Sequence, residues 1–146
     1  MYDKILLPTD GTKKTDKAIK EGIKLAKNSG AEIHAVFVVN TTAFESIPET
    51  GMWTQTKDIL KREGDEALEE IEEKCDENKI DCETSIRYGR PHEEIIEYAT
   101  ENEIDLIVMG TSSKKGMDRF LLGSVAEKVL RSSETPVMIV RSSWEK

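Results

Sequence analysis

The sequence predicts an α/β fold with three layers, an open twisted five-stranded parallel sheet covered by helices on both faces. Short apolar runs alternate with longer segments of helical periodicity along the chain, which is the pattern of repeated strand–helix–strand units. Two of these runs, Ala31–Val39 and Ile104–Met109, are almost continuously apolar, as strands buried on both faces are. Right-handed crossovers between parallel strands then place helices on each side of the sheet.

The first half of the chain supplies two strands and two helices. A strand over Lys4–Pro8 is closed by proline, and apolar residues at helical spacing predict a helix over Thr12–Ser29. The second strand is Ala31–Val39. Asn40–Thr56 has no clear period and is expected to be a long loop whose role the sequence leaves open. A helix with one densely acidic, solvated face is expected from about Lys57 to Asn78.

The second half repeats the pattern around a glycine-rich loop. Ile80–Tyr88 alternates between apolar and polar residues, which predicts a strand at the sheet edge with one face partly wet. A helix begins at Pro91, a favoured first helical residue. The remaining elements are a strand over Ile104–Met109, a helix opening at Gly123-Ser124 and a last strand over Pro136–Arg141.

The composition indicates one domain over residues 1–146 and excludes several partners. Acidic residues outnumber basic ones by 29 to 21, for a net charge of −8, which disfavours nucleic acid or an anionic membrane as the main partner. No apolar run approaches the ~20 residues of a membrane span. No secretory signal is visible at the start, so a cytoplasmic location is expected. Cys75 and Cys82 are expected to be reduced, structural thiols.

The best candidate for a binding site is the stretch Gly110–Ser124. Small and basic residues follow the fourth strand, and a helix begins at Gly123-Ser124, where free backbone N–H groups and the helix dipole favour an anion. In open parallel sheets, ligands lie beyond the strand ends where the strand order reverses. The turn Pro8–Gly11 should therefore face this loop across a phosphate-bearing ligand. The alternative is that the glycines only form turns and that Asp10 caps the first helix.

Other chemistry is less well supported. The sequence has no Gly-x-x-x-x-Gly-Lys-[Ser/Thr] loop, no Gly-x-Gly-x-x-Gly after a strand and no Gly-x-Ser-x-Gly elbow. Only two histidines are present, His34 in a strand and His92 at a helix start, so a Ser/His/Asp triad is not expected.

The motif around Gly110 resembles that of the universal stress proteins, which have an ATP-binding branch and a branch that does not bind ATP. The ATP-binding branch carries Gly, two residues, Gly, nine residues and then Gly-Ser or Gly-Thr. Gly110 and Gly123-Ser124 match, and Ser113 replaces the second glycine. The runs KILLPTDGT, YGRPHEEII and FLLGSVAEKVLRSSETPVMIVR extend the resemblance over nearly the whole chain. It implies a Rossmann-like fold of the adenine nucleotide alpha hydrolase-like type.

The resemblance also implies a site for ATP, with AMP or ADP as related ligands. The implied contacts are Pro8, Thr9, Asp10, Val38, Met109, Gly110, Ser112, Ser113, Gly123, Ser124 and Val125. Asp10 would lie near the ribose, where it could also hold Mg²⁺ together with the phosphates. Val38 would line the adenine through its backbone, and Gly110 would allow close approach to the ribose. The helix start at Gly123 and Ser124 would hold the phosphates.

Ser113 is the one departure from the motif. Glycine at this place permits a positive φ and leaves room for the backbone to touch phosphate. Serine costs about 1 kcal/mol if that backbone is required, although it adds a hydroxyl donor and Lys114 and Lys115 add charge. We expect Ser113→Gly to tighten ATP binding or leave it unchanged in calorimetry. A marked loss would mean that the serine hydroxyl is itself a ligand.

The expected function is that of a nucleotide-dependent regulator or sensor in a stress response, and the resemblance implies a homodimer built on Val137–Val140. No well-placed general base is evident, so fast ATP hydrolysis is not expected. Two alternatives stay open. The first is a nucleotide-free dimeric interaction module that contacts an unknown protein partner through its dimer surface and residues 40–56. Within that segment, Met52 and Trp53 either pack on the protein or cover a ligand. The second is a slow ATPase or phosphotransferase.

Overall fold

The computed structural model describes residues 2–42, 51–111 and 123–141. Five strands form one parallel sheet: β1 (Lys4–Thr9), β2 (Glu32–Asn40), β3 (Cys82–Gly89), β4 (Leu106–Gly110) and β5 (Val137–Val140). The α-helices are α1 (Asp16–Ser29), α2 (Gly51–Glu77), α3 (Pro91–Glu101) and α4 (Ser124–Ser132), and a 3₁₀ turn over Lys13–Thr15 precedes α1. The predicted α/β fold with a five-stranded parallel sheet is therefore confirmed.

The strand order is β3-β2-β1-β4-β5, so the chain first runs outward to β3 and then returns to the centre. The order reverses between β1 and β4, which is where open α/β sheets bind ligands. β1 and β4 pair only at Ile5 with Leu106 and Leu6 with Ile107, although both strands continue beyond those residues. A crevice consequently opens between their carboxyl ends. At the other end, the Asp105 carboxylate accepts hydrogen bonds from the backbone N–H groups of Asp3 and Lys4 at 2.8 and 2.9 Å.

The core lies in two layers because successive side chains of a buried strand point to opposite faces. Ile5 and Leu7 of β1 face α1 and α2, and Leu6 faces α3 and α4. All three side chains are fully buried. The sheet therefore carries helices on both faces, as predicted, and β3 lies at the sheet edge, as its alternating pattern indicated.

The main difference from the sequence prediction is that α2 begins at Gly51, so the assignment of residues 51–56 to a loop was wrong. Local contacts one helical turn apart hold this segment. The Thr56 hydroxyl donates to the Met52 carbonyl at 3.0 Å, and the Lys57 ammonium lies 4.4 Å from the centre of the Trp53 ring. Met52 is 76% exposed, so the segment shows little of the apolar period by which a helix is recognised. Asn40, which was also assigned to this loop, ends β2, and residues 43–50 lie outside the described residues.

Other boundaries shift by a few residues. The first helix was expected from Thr12, but Thr12 is the N-cap of the 3₁₀ turn, and α1 itself starts at Asp16. β3 starts at Cys82 instead of Ile80, because Ile80 donates its N–H to the Cys75 carbonyl at 2.9 Å in the turn that ends α2.

The two cysteines are free thiols on the α1/α2 face of the sheet. A hydrogen bond to Cys75, and then burial, raise the pKa of the Cys82 thiol. Within residues 2–42, 51–111 and 123–141, no helix combines the length and the apolar character that crossing a membrane requires.

Candidate functional site

A cleft of about 360 Å³ lies at the crevice between the carboxyl ends of β1 and β4. This volume is within the range of about 300–1,000 Å³ that is usual for small-molecule sites. The described residues that line it are Pro8, Thr9, Asp10, Lys14, Thr15, Val36, Val38, Asn40, Pro91, Ile95, Met109, Gly110, Thr111, Gly123, Ser124, Val125 and Ala126. They come from the ends of β1, β2 and β4 and from the starts of the helical segments that follow β1, β3 and β4.

The cleft brings together most of the contacts that the sequence predicted. Its walls include Pro8, Thr9, Asp10, Val38, Met109, Gly110, Gly123, Ser124 and Val125. The other two predicted contacts, Ser112 and Ser113, lie outside the described residues, as do Lys114 and Lys115. Four segments, the ends of β1 and β4, the strand β2 and the start of α4, thus meet where the strand order reverses.

The turn after β1 is held by hydrogen bonds of Thr9 and Asp10, two residues that also line the cleft. The Thr9 hydroxyl oxygen accepts the Gly11 N–H at 3.0 Å and lies 3.1 Å from the Thr15 hydroxyl. One oxygen of Asp10, Oδ1, accepts the N–H of Thr12 at 2.9 Å and its hydroxyl at 2.6 Å. Thr12 in turn caps the 3₁₀ turn. Asp10 therefore supports the helix cap indirectly, through Thr12, while its exposed carboxylate borders the cleft.

Gly110 is constrained by packing against the 3₁₀ turn and the start of α1. A Cβ at this position would lie 3.1 Å from the Lys14 carbonyl oxygen and 3.6 Å from the Ala18 Cβ. The missing side chain lets the backbone before α1 approach the end of β4. This contact provides a structural reason for glycine that is independent of the predicted approach to a ribose.

The start of α4 presents backbone donors to the cleft. Gly123 is the N-cap, and its carbonyl accepts the N–H of Glu127 at 2.9 Å. The N–H groups of the first helical turn have no acceptor within their own helix, and this turn begins with Ser124, Val125 and Ala126, all of which line the cleft. The dipole of α4 adds partial positive charge at the same place. This end of the cleft can therefore bind an anionic group.

Several lining residues were not predicted. Lys14, Thr15, Val36, Asn40, Pro91, Ile95, Thr111 and Ala126 complete the walls. Val36 lies two residues before Val38 on the same strand face, and Asn40 ends β2, so strand alternation and the strand-end rule could have found both. The Lys14 position depends on the 3₁₀ turn, which the helical pattern concealed.

The walls divide into an apolar and a polar part. Val36, Val38, Ile95 and Met109 form an apolar surface, whereas Asp10, Lys14 and the α4 start are polar or charged. Asp10 is the one carboxylate among the described lining residues. The arrangement suits a ligand that combines an apolar ring with an anionic group.

Comparisons with known proteins identify one family. The sequence profile of the universal stress protein family matches residues 1–141. Universal stress protein MJ0531 of Methanocaldococcus jannaschii is 40% identical over 141 residues, which cover 97% of this chain and 83% of that protein. The solved structure of hypothetical protein MJ0577 is 30% identical, covers 99% of both chains and superposes with a TM-score of 0.86.

Two more distant structures share the fold and were solved with nucleotides. A universal stress protein in complex with cAMP is 24% identical, with a TM-score of 0.72 and coverage of 97% of this chain and 98% of that one. An Arabidopsis thaliana family member with AMP bound is 19% identical, with a TM-score of 0.71 and coverage of 97% and 92%.

Proposed function

Because the chain belongs to the universal stress protein family, we propose that it binds an adenine nucleotide, ATP, in the cleft between β1 and β4. Binding there would make it a nucleotide-dependent regulator or sensor in a stress response. One observation carries the proposal. Nine predicted nucleotide contacts from separate parts of the chain line a single cleft that ends at the first turn of α4.

The two parts of the cleft correspond to the two parts of the ligand. The apolar wall of Val36, Val38 and Ile95 suits adenine, whose faces are apolar and whose edge can bond to backbone groups. The first turn of α4 and the ammonium of Lys14 suit the phosphates. The fold already holds adenine nucleotides elsewhere in the family, since one structure contains cAMP and another contains AMP.

Magnesium would enter with the nucleotide. Mg²⁺ prefers oxygen ligands and is commonly held by one or two carboxylates together with the phosphates of a substrate. Asp10 fits this role because it borders the cleft, although its Oδ1 already accepts two hydrogen bonds from Thr12. The ion would neutralise phosphate charge when bound.

A homodimer built on β5 is part of the proposal. Within the described residues β5 pairs with β4 alone, so its outer edge is available to a second strand. Met138 on this strand is 37% exposed. A second copy of the chain would cover both the edge and this side chain.

The proposal is tested on the purified full chain. Denaturing the protein should release an adenine nucleotide that chromatography identifies, or the nucleotide-free protein should give a binding isotherm with Mg-ATP in calorimetry. A purified protein that carries no nucleotide and gives no binding heat with Mg-ATP, ADP or AMP would contradict the binding hypothesis.

The interaction module remains the second candidate because of one surface feature. Met52 and Ile59 of α2 are 76% and 55% exposed, and apolar side chains of this size are a common component of protein interfaces. A nucleotide-free protein that still forms a stoichiometric complex with a partner protein, lost on Met52→Lys and Ile59→Lys, would favour it. For slow ATP hydrolysis, phosphate release that is unchanged in Asp10→Ala and Gly123→Val would indicate a contaminating enzyme.

A further inference from the structure

Three side chains with metal-binding atoms converge on the face of the sheet that α3 covers. Glu32 and His34 lie on β2, and Glu83 lies on β3. The register pairs His34 with Glu83, so these two side chains point to the same face, and Glu32 shares that face because it is two residues away. One ligand atom from each residue lies within 4.8 Å of the other two.

His34 is a fixed anchor within this cluster. Its side chain is buried, with 2% of the residue exposed. Nε2 lies 2.6 Å from the Glu32 carboxylate, and Nδ1 lies 2.7 Å from the Tyr98 hydroxyl. The 2.6 Å contact is a hydrogen bond in which Nε2–H donates to the Glu32 carboxylate. A metal ion at Nε2 would replace this proton, and Nδ1–H would then donate to the Tyr98 oxygen. Metal-binding histidines are usually oriented by such a hydrogen bond from the other ring nitrogen.

The charges around the cluster favour a cation. Two carboxylates and a neutral imidazole carry a charge of −2. The nearby Arg87 guanidinium lies 5.0 Å from the centre of the Tyr98 ring. It forms ion pairs with three carboxylates of α3, those of Glu94, Glu97 and Glu101, at 3.7, 3.5 and 2.8 Å. Over residues 2–42, 51–111 and 123–141, neither Glu32 nor Glu83 pairs with a lysine or an arginine. A divalent cation would relieve the repulsion between the two carboxylates.

We propose that Glu32, His34 and Glu83 form a binding site for one divalent first-row transition-metal ion, with Zn²⁺ as the representative ligand. One imidazole and two carboxylates suit zinc and its neighbours, whereas Mg²⁺ and Ca²⁺ prefer oxygen ligands alone. Ligand atoms around a tetrahedral zinc lie roughly 3.4 Å apart. To reach this spacing, the half-buried Glu32 carboxylate would move away from its present 2.6 Å contact with Nε2, and the exposed Glu83 would adjust by a side-chain rotation. The fourth position would be open to water.

The metal site is separate from the nucleotide cleft. Glu32 and His34 are at the start of β2, whereas Val38 and Asn40 line the cleft at its end. The same α3 helix serves both, with Pro91 and Ile95 at the cleft and Tyr98 at the metal site. Failure of one proposal therefore leaves the other untouched.

The test uses the full chain, freed of metal and nucleotide, titrated with Zn²⁺ in competition with a chromogenic chelator. We expect one ion per chain, with Glu83→Gln weakening the affinity at least tenfold. Glu69→Gln removes an exposed carboxylate from α2 and serves as the matched control, with unchanged affinity. Tyr98→Phe keeps the ring but frees the imidazole, and we expect a loss of about 10–100-fold.

Circular dichroism establishes that each variant is folded, and Glu83→Gln keeps the test decisive even if substitutions at the buried His34 unfold the chain. Absence of stoichiometric Zn²⁺ binding by the folded wild type would overturn the proposal. Equal affinities of Glu83→Gln and Glu69→Gln would also overturn it, because they would mean that zinc binds to scattered surface carboxylates. Cobalt provides a second readout, since a visible spectrum unaffected by Tyr98→Phe would argue against imidazole ligation.

Discussion

At the scale of single residues, glycines set how closely the layers approach. A Cβ on Gly64 of α2 would lie 2.6 Å from Cδ1 and 2.9 Å from Cγ of Phe37 on β2. The aromatic ring is itself buried in the core, so it has little room to move aside. Gly51, at the start of the same helix, would place a Cβ in open space. Packing therefore requires glycine at position 64 of this helix but not at position 51.

Gly64→Ala should lower the free energy of unfolding by about 1–3 kcal/mol, because the clash with Phe37 outweighs the higher helix propensity of alanine. Gly51→Ala should leave it unchanged or raise it slightly. Urea denaturation of both variants measures the difference as a shift of the midpoint at constant slope. Equal midpoints would mean that the sheet and α2 do not pack as closely as described.

Asp10 has one role in the turn after β1 and a second, proposed role in binding Mg-ATP. Asp10→Asn keeps the Oδ1 acceptor for Thr12, so we expect a loss of stability below about 1 kcal/mol. The amide removes the negative charge and replaces the second acceptor oxygen by a donor. Affinity for Mg-ATP should therefore fall at least tenfold in calorimetry. Wild-type affinity in the folded Asn variant would show that Asp10 serves the turn alone.

At the scale of elements, the start of α4 should respond to charge in two opposite ways. Ser124→Asp places an anion in the first turn of α4, where its interaction with the helix dipole stabilises the folded protein by about 0.3–1 kcal/mol. The same charge repels a phosphate at that position, so ATP affinity should fall at least tenfold even though the protein becomes more stable. Ser124→Asn, of similar size and uncharged, is the control and should lose less affinity. Thermal unfolding and calorimetry on the same samples separate the two effects, and undiminished ATP binding by Ser124→Asp would mean that the phosphates lie elsewhere.

At the scale of the whole molecule, the proposed homodimer is tested at the outer edge of β5. Met138→Lys places a charge that a second copy of the chain would have to bury without a partner, so the dimer should dissociate while the protomer stays folded. Met52→Lys makes the same change at a position that is 76% exposed and far from β5 in the chain, and it should remain dimeric. Light scattering measures both. A Met138→Lys variant that stays dimeric would move the interface away from this strand.

The fold could be predicted because the strands are formed by buried residues, and burial leaves a recognisable pattern of apolar residues in the sequence. Ile5, Leu6 and Leu7, at the sheet centre, are apolar without interruption, and β3 alternates because it lies at the edge. The start of α2 could not be predicted in the same way. Its first turns are held by contacts such as Lys57 on Trp53, and exposed side chains leave no period in the sequence.

The cleft could be predicted in outline because strand ends and a glycine motif mark it. Residues reached through three-dimensional packing were missed, since Ile95 comes to the cleft on α3 and Lys14 comes through a 3₁₀ turn. The packing contact of Gly110 could not be predicted from the sequence either. Only the structure reveals that the Lys14 carbonyl oxygen would lie 3.1 Å from a Cβ at position 110.

The reversal of strand order between β1 and β4 has a consequence for how the chain is made. β1, β2 and β3 are neighbours both in the chain and in the sheet, so these three strands can pair while the chain is still being synthesised. The β1–β4 contacts instead close a loop of about a hundred residues, as the Asp105 bond to Lys4 across 101 positions illustrates, and such contacts form late. Seven of the seventeen described lining residues, which lie between Met109 and Ala126, are therefore missing until the ribosome has delivered the start of α4. With the proposed function, nucleotide occupancy would report that β4 and the start of α4 have joined the N-terminal strands, and a translation product truncated before α4 would not acquire it.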